Sequence, residues 1–204
     1  MAFTYLALGD SYTIAEGCLL TESYAYQAVQ QLRNNGIEIS APEIIAKTGY
    51  TSSELLAALQ AVTLLPAYDI VTLLVGVNNQ YRGLDINEFK NEFLVLLKRA
   101  IQLTGNRSQS VVVLSIPNWG VTPFASGQDG HKITAEIEAY NGICEEAALL
   151  NNCNYINITM AQAARCKIDG YLAADGLHPS GKEYTKWASL LSEIISRLLP
   201  NTYP

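Results

Sequence analysis

The chain has 204 residues, of which 49% are hydrophobic and 16% charged, so it can bury a sizeable core and we expect a single domain over residues 1–204. A net charge of -6 without a run of Lys or Arg argues against nucleic acid as a partner. No apolar stretch approaches the ~20 residues of a membrane-spanning helix, and the start lacks the features of a secretory signal. We therefore expect a soluble protein without an integral membrane segment, cytoplasmic or already processed.

Short apolar segments alternate with longer segments of helical period. Strands are predicted at residues 3–8, 37–39 continued by 44–46 beyond Pro42, 70–75, 111–116 and 155–158. Helices are predicted at residues 24–33, 53–59, 87–103, 134–150 and 180–199, the last with Pro179 ahead of it and Pro200 at its end. This alternation predicts an α/β protein in which helices cover a mainly parallel, five-stranded sheet, with ligands bound beyond the carboxyl ends of the strands.

The first strand is followed by a Gly-Asp-Ser-Tyr turn at residues 9–12. This turn would place Ser11 at the start of a helix and at the mouth of the sheet. Its hydroxyl is then a candidate nucleophile and its backbone N–H a candidate oxyanion donor. Because Ser is also a favoured helix N-cap, the turn alone supports a purely structural role equally well.

A candidate base lies near the other end of the chain, in Asp-Gly-Leu-His-Pro at residues 175–179. Asp175 could bind one ring nitrogen of His178 and leave the other nitrogen facing Ser11. The alternative is a surface loop in which His178 has no role. His131 is the rival base, but nothing in the sequence orients it, and we interpret it as a loop residue.

Two further strand ends offer donors for an oxyanion hole. Asn78 follows the strand at residues 70–75, within Gly-Val-Asn-Asn, and Gly49 offers an unshielded backbone N–H within Thr-Gly-Tyr at residues 48–50. Each signal is weak alone, since Gly and Asn commonly serve only the geometry of a turn.

Together, these four blocks resemble the GDSL-type, or SGNH, hydrolase family, whose signature residues are Ser, Gly, Asn and His. The matching positions are Ser11, Gly49, Asn78 and His178, and the resemblance spans residues 5–179. It implies a three-layer α/β/α flavodoxin-like fold and a triad of Ser11, His178 and Asp175. It also implies an oxyanion hole made by the N–H groups of Ser11 and Gly49 with the Asn78 side chain, and no cofactor.

Two positions depart from the pattern of that family. Tyr12 stands where the family name has Leu, and Asn79 stands where Asp often follows the oxyanion Asn. Neither change removes a reacting group. The second leaves open how the loop that holds Asn78 is braced.

Several side chains could contact the substrate. Trp119, Val121 and Phe124 follow the fourth strand and could line an acyl pocket, while Tyr81 and Arg82 could contact the alcohol side. Ordinary loop packing explains these residues equally well. The resemblance implies a serine esterase that acts on small-molecule esters. If these side chains line the pocket, esters with short-to-medium acyl chains or lysophospholipid-like esters fit better than sugar acetates.

Other functions remain open at this point. The loop at residues 9–13, rich in N–H groups and hydroxyls, would also suit a flavin- or phosphate-binding flavodoxin-like module. An acetyl-esterase acting on acylated sugars is a second alternative, and a catalytically silent binding protein is a weaker third.

The cysteines and histidines offer little for a metal site, and we expect none. The chain has only two histidines, and its four cysteines include no Cys-x-x-Cys pair. A disulfide between two of Cys144, Cys153 and Cys166 is possible, while reduced, buried thiols, with Cys18 as the fourth, are the simpler interpretation. The sequence does not predict the oligomeric state.

Overall fold

The computed structural model describes residues 2–199 and shows a sheet of five strands. In chain order these are β1 (Tyr5–Gly9), β2 (Glu43–Ala46), β3 (Ile70–Leu74), β4 (Val111–Leu114) and β5 (Asn154–Ile156). Their spatial order is β2-β1-β3-β4-β5, and each pairing between them is parallel. This is the strand order of flavodoxin-like doubly wound sheets, so the predicted fold class is confirmed.

The strands form because runs of apolar residues can be buried on both faces of the sheet. β1, β3 and β4 are buried along their whole length, whereas the edge strands β2 and β5 are mostly half-buried. Gly9 at the end of β1 is paired with Ala46 of β2 and Leu74 of β3. Three neighbouring strands therefore end level, and the loops that follow them meet at one edge.

Helices cover both faces of the sheet. They are α1 (Tyr24–Asn34), α2 (Ser52–Ala61), α3 (Val77–Tyr81), α4 (Ile86–Leu103), α5 (Gly130–Leu150), α6 (Thr159–Arg165) and α7 (Gly181–Leu198), with short 3-10 helices at Leu20–Glu22, Ser108–Ser110, Trp119–Val121 and Pro123–Ala125. α1 packs against α7, while α4 packs between α2 and α5. None of the described helices is long and apolar enough to cross a membrane.

Helix caps determine where the chain leaves the carboxyl edge. The Thr51 hydroxyl accepts the N–H of Glu54 at the start of α2, and the Ser180 hydroxyl accepts the N–H of Glu183 at the start of α7. Thr51 comes two residues after Gly49, and Ser180 comes two residues after His178. Both candidate residues thus sit directly before a capped helix.

The structure differs from the sequence predictions at several elements. Residues 37–39 form only an isolated bridge between Ile39 and Phe3, because the pairing stops before Pro42, which has no N–H to donate. The short helices α3 and α6 were not predicted. Ser11 lies in a run of turns rather than at the start of a regular helix, and α1 begins only at Tyr24. Pro200, the predicted helix stop, lies outside the described residues.

Candidate active site

Ser11 and His178 meet at the carboxyl edge of the sheet. Ser11 follows β1, His178 precedes α7, and His178 Nε2 lies 3.0 Å from Ser11 Oγ. The turn around Ser11 is closed by the N–H groups of Thr13 and Ile14, which donate to the Asp10 carbonyl. Both Ser11 and His178 are buried, at 5% and 7% exposure. A serine hydroxyl and an imidazole nitrogen are therefore within hydrogen-bonding reach in a largely water-excluded position.

Asp175 orients the imidazole from the other side. Its Oδ2 lies 2.6 Å from His178 Nδ1, and its Oδ1 accepts the N–H groups of Leu177 and His178 at 2.9 and 3.0 Å. Burial raises the pKa of Asp175, but the hydrogen bonds from the His178 ring and the two N–H groups outweigh it and hold that pKa below its usual range. A carboxylate at Nδ1 favours the tautomer with hydrogen on Nδ1, which leaves Nε2 of the neutral ring as the acceptor facing Ser11.

Tyr12, the departure from the family name, packs against the imidazole. The ring centroids of Tyr12 and His178 are 5.0 Å apart, and Tyr12 also lies 6.4 Å from the ring of Trp187 in α7. The buried tyrosine ring therefore supports one face of His178 and links it to the helix that follows.

Gly49 and Asn78 follow the two strands that neighbour β1. Gly49 comes after β2, and Asn78 lies in α3, directly after β3. Gly49 adopts φ of +84°, which glycine reaches without a Cβ penalty, and within the described residues its N–H makes no hydrogen bond. Asn78 Nδ2 donates to the Tyr50 carbonyl at 2.9 Å, so one amide hydrogen braces the side chain and the other is free to bind a ligand.

Asn79 and Gly76 brace the segment that holds Asn78. Asn79 Oδ1 accepts the N–H of Ser52 at 3.0 Å, and its Nδ2 donates to Ser52 Oγ at 2.7 Å. A carboxylate could accept from both Ser52 groups but could not donate, so the amide suits this pair of bonds. Gly76 has φ of +131°, and a Cβ there would lie 2.7 Å from Ile116 and Phe89. The loop that holds Asn78 is thus braced by the hydrogen bonds of Asn79 to Ser52, the first residue of α2.

These groups line one cavity of about 170 Å³. Its polar side consists of Ser11, Thr48, Gly49, Asn78 and His178. Its apolar side consists of Tyr12, Val77, Tyr81, Trp119, Phe124 and Leu177. The candidate nucleophile, the candidate base and the candidate oxyanion donors thus open onto the same small, mostly apolar space.

Trp119 anchors the aromatic residues of this cavity. Its ring lies 5.3 Å from Tyr81 and 6.0 Å from Phe124, both in edge-to-face contact. Its Nε1 donates to Gln80 Oε1 at 2.7 Å, and Gln80 Nε2 donates to Glu136 of α5 at 2.7 Å. A buried indole N–H needs such a partner, so the Gln80 link fixes the position of the Trp119 ring.

Residues 7–186 match the model of the GDSL-like lipase/acylhydrolase family, which covers most of the chain. The chain belongs to this family. It is therefore a carboxylic ester hydrolase rather than a flavin- or phosphate-binding module.

Solved structures share the fold of this GDSL-like hydrolase. A lipase/acylhydrolase from Enterococcus faecalis has a TM-score of 0.79 at 19% identity, with 100% of both chains covered. The lipase Lip_vut3 from a goat rumen metagenome has a TM-score of 0.78 at 21% identity, over 97% of this chain and 100% of that one. The acetylxylan esterase Axe2 from Geobacillus stearothermophilus has a TM-score of 0.69 at 18% identity, over 96% and 93%. No curated protein sequence matches the chain.

Two residues predicted to contact substrate lie elsewhere in the GDSL-like hydrolase. Val121 lines a separate cavity beside α5 and α6, because it belongs to a 3-10 helix in which positions 119 and 121 point in different directions. Arg82 lies outside the cavity lining and donates instead to the Gly49 carbonyl and to Glu54. Tyr81, Trp119 and Phe124 do line the cavity.

His131 is not near the site. It lies in the first turn of α5, which begins at Gly130 rather than at the predicted residue 134, and its side chain is exposed. Among residues 2–199, no three His, Cys, Asp or Glu side chains come together as a metal site would require. All four cysteines are free thiols, so the possible disulfide is not formed.

Several cavity residues are not among the predicted site residues. Thr48, Val77 and Leu177 line the cavity, and each adjoins a motif residue in the sequence, so adjacency was the available signal. Gln80 and Glu136, which hold Trp119, carry no such signal, because they are brought to Trp119 only by the packing of α3 against α5.

Proposed function

We propose that this GDSL-like hydrolase is a serine esterase that acts through an acyl-enzyme on Ser11. The observation that carries the proposal is the continuous set of hydrogen bonds from Ser11 Oγ through His178 to Asp175, at 3.0 and 2.6 Å. His178 Nε2 takes the proton as Ser11 Oγ attacks the ester carbonyl carbon, then gives it to the departing alkoxide. Water attacks the acyl-enzyme with the same nitrogen as base, which releases the acid and restores Ser11.

Three donors stabilise the charge that develops on the carbonyl oxygen in this proposal. They are the N–H groups of Ser11 and Gly49 and the second amide hydrogen of Asn78. The support is that Gly49 has a free N–H in the described part of the chain and that all three residues line one cavity. Donors held in position before the reaction stabilise a developing oxyanion without further reorganisation.

The cavity supports esters with a short acyl group as substrates. Its volume of about 170 Å³ is below the ~300 Å³ lower bound of sites for drug-sized ligands. A short acyl chain packs against Tyr81, Trp119 and Phe124, while a long chain extends past the exposed rings of Tyr81 and Phe124 toward solvent.

Hydrolysis of p-nitrophenyl acetate by the purified protein tests the reaction class. We expect turnover by the parent protein and a loss of roughly 10⁶-fold in kcat in the Ser11→Ala variant, because the nucleophile is removed. Equal rates in the parent and the variant would exclude Ser11 as the nucleophile.

A panel of esters tests the substrate class. We expect kcat/KM to be highest for butyrate or hexanoate p-nitrophenyl esters and to fall for decanoate and longer chains, because the cavity is short and apolar. Acetylated xylose belongs in the same panel because an acetylxylan esterase shares this fold. A clear preference for the acetylated sugar would contradict the proposed substrate class without affecting the role of Ser11.

A further inference from the structure

Arg82 has no part in the mechanism described so far. It lies at the C-terminal end of α3, one helical turn after Asn78, so both side chains face the segment at residues 48–52. Arg82 Nη2 donates to the Gly49 carbonyl at 2.5 Å, and Nη1 donates to Glu54 Oε1 at 3.2 Å. The Arg82 side chain therefore connects α3 to the carbonyl of Gly49, the residue whose N–H is a candidate oxyanion donor.

The hydrogen bond from Arg82 to Gly49 contributes more to holding this turn than the ion pair of Arg82 with Glu54 does. Arg82 and Glu54 are 44% and 45% exposed, and exposed ion pairs contribute little because solvent screens them. Gly49 has no side chain, and its φ of +84° lies in a region from which glycine can move freely. In the described residues Arg82 supplies the hydrogen bond that reaches Gly49 itself, while Lys47 and Asn78 hold the N–H and the carbonyl of Tyr50.

We propose that Arg82 is a positioning residue that holds Gly49 by its carbonyl, in the peptide after the one that carries the Gly49 N–H, and so keeps that N–H in place as an oxyanion donor. The inference rests on the proposed function of Ser11 and Gly49. Arg82 is outside the cavity lining, and its two side-chain hydrogen bonds go to Gly49 and Glu54. A group that acts only on the alignment of an oxyanion donor changes transition-state stabilisation more than ground-state binding.

Kinetics of three variants on p-nitrophenyl butyrate test this role. Arg82→Met keeps the length of the stem and removes both donors, and we expect kcat to fall roughly 5- to 30-fold with KM within about twofold. This loss is smaller than the ~10²–10³-fold cost of removing an oxyanion donor, because the Gly49 N–H remains but is less well held. Arg82→Lys keeps one charged donor and should recover part of the lost kcat.

Glu54→Gln is the matched control. It removes the ion pair to Arg82 but leaves an acceptor for the Thr51 N–H, which Glu54 binds at 2.8 Å, and it leaves the Arg82 bond to Gly49 intact. We expect kcat within about twofold of the parent. A loss in Glu54→Gln equal to that in Arg82→Met would overturn the proposal, since the ion pair would then be responsible.

Two other results would also contradict it. An unchanged kcat in Arg82→Met means that Gly49 needs no anchor, and a raised KM at unchanged kcat means that Arg82 contacts the substrate. A failure of the proposed function gives a different result: the parent and the Ser11→Ala variant would then hydrolyse the ester at the same rate.

Hydrogen exchange gives a reading that does not depend on catalysis. The Tyr50 N–H donates to Lys47 at 3.1 Å, and its exchange should become faster in Arg82→Met but not in Glu54→Gln, at equal thermal midpoints. Unchanged exchange in both variants would show that Arg82 does not hold this turn.

Discussion

The two sides of the cavity are built by different kinds of contact. The hydrogen-bonded side, with Ser11 and His178 at its centre, depends on directional bonds of 2.6 and 3.0 Å. The aromatic side, formed by Tyr81, Trp119 and Phe124, depends on ring contacts of 5.3 to 6.3 Å with one polar anchor at Trp119. Directional bonds fail when one atom is removed, whereas packed rings shift and adapt. Changes on the first side should therefore lower kcat for every ester, and changes on the second should alter which ester is used.

After Ser11→Ala, the largest effect is expected from His178→Ala. Without the imidazole, nothing accepts the Ser11 proton, and we expect kcat on p-nitrophenyl acetate to fall roughly 10⁴- to 10⁶-fold. His131→Ala is the matched control because His131 is exposed on α5, and its kcat should stay within about twofold. Similar losses of kcat in both variants would contradict the assignment of His178, and not His131, as the base.

Asn78→Ala should have the next largest effect. Removing one oxyanion donor costs about 2.7–4 kcal/mol of transition-state stabilisation, so we expect kcat to fall about 10²- to 10³-fold. KM should change far less, since the ester carbonyl in the ground state carries little charge. If steady-state kinetics showed a raised KM and an unchanged kcat, Asn78 would belong to substrate binding instead.

Asp10 tests how the hydrogen-bonded side tolerates a buried charge on the residue that precedes Ser11. Its carboxyl group is fully buried, Oδ1 accepts the Tyr12 N–H at 3.0 Å, and Oδ2 has no partner among the described residues. Burial raises the pKa of Asp10 to about 7, against the lowering effect of the backbone hydrogen bonds. Since this pKa is above that of the unfolded chain, the stability contributed by the neutral acid is full at low pH and is lost as pH rises toward 7.

Asp10→Asn keeps the acceptor for Tyr12 and removes the titration. We expect the free energy of unfolding of the parent, relative to Asp10→Asn, to fall by roughly 2–3 kcal/mol between pH 5 and 8. Urea unfolding at both pH values measures this difference. Parallel pH dependence in the two proteins would mean that Asp10 titrates alike in the folded and unfolded chains.

The smallest effect is expected on the aromatic side. Trp119→Ala enlarges the cavity, so we expect kcat/KM for octanoate relative to butyrate to rise about tenfold, or ~1.4 kcal/mol. Trp119→Phe keeps a ring and should shift this ratio less. A uniform loss on all esters would instead indicate that Trp119 supports the hydrogen-bonded side.

The sequence predicts the sheet, and the four motif blocks stand out in it, because these signals are local. β1, β3 and β4 are short, mostly apolar segments that are buried along their whole length, which gives each a pattern of its own. Ser11 and His178 each stand in a short motif beside a strand end or a helix start. Parallel topology then brings these distant segments to one edge.

The sequence does not predict which way the side chains point in short helices. α3 has five residues and the helix at Trp119–Val121 has three, too few for a periodic pattern, so the sequence alone does not orient Arg82 or Val121. The bond between Gln80 and Trp119 joins residues 39 positions apart through tertiary packing alone. Residues 37–39 have the apolar composition of a strand but lack a continuous neighbour to pair with.

Covalent labelling by a fluorophosphonate tests the central claim most directly. The reagent reacts with a serine hydroxyl only where a base activates it and donors stabilise the added oxygen. We expect one label per chain, mapped by peptide mass spectrometry to Ser11, with labelling lost in Ser11→Ala and strongly slowed in His178→Ala. A label on another residue, or labelling of Ser11 at an undiminished rate without His178, would contradict the account.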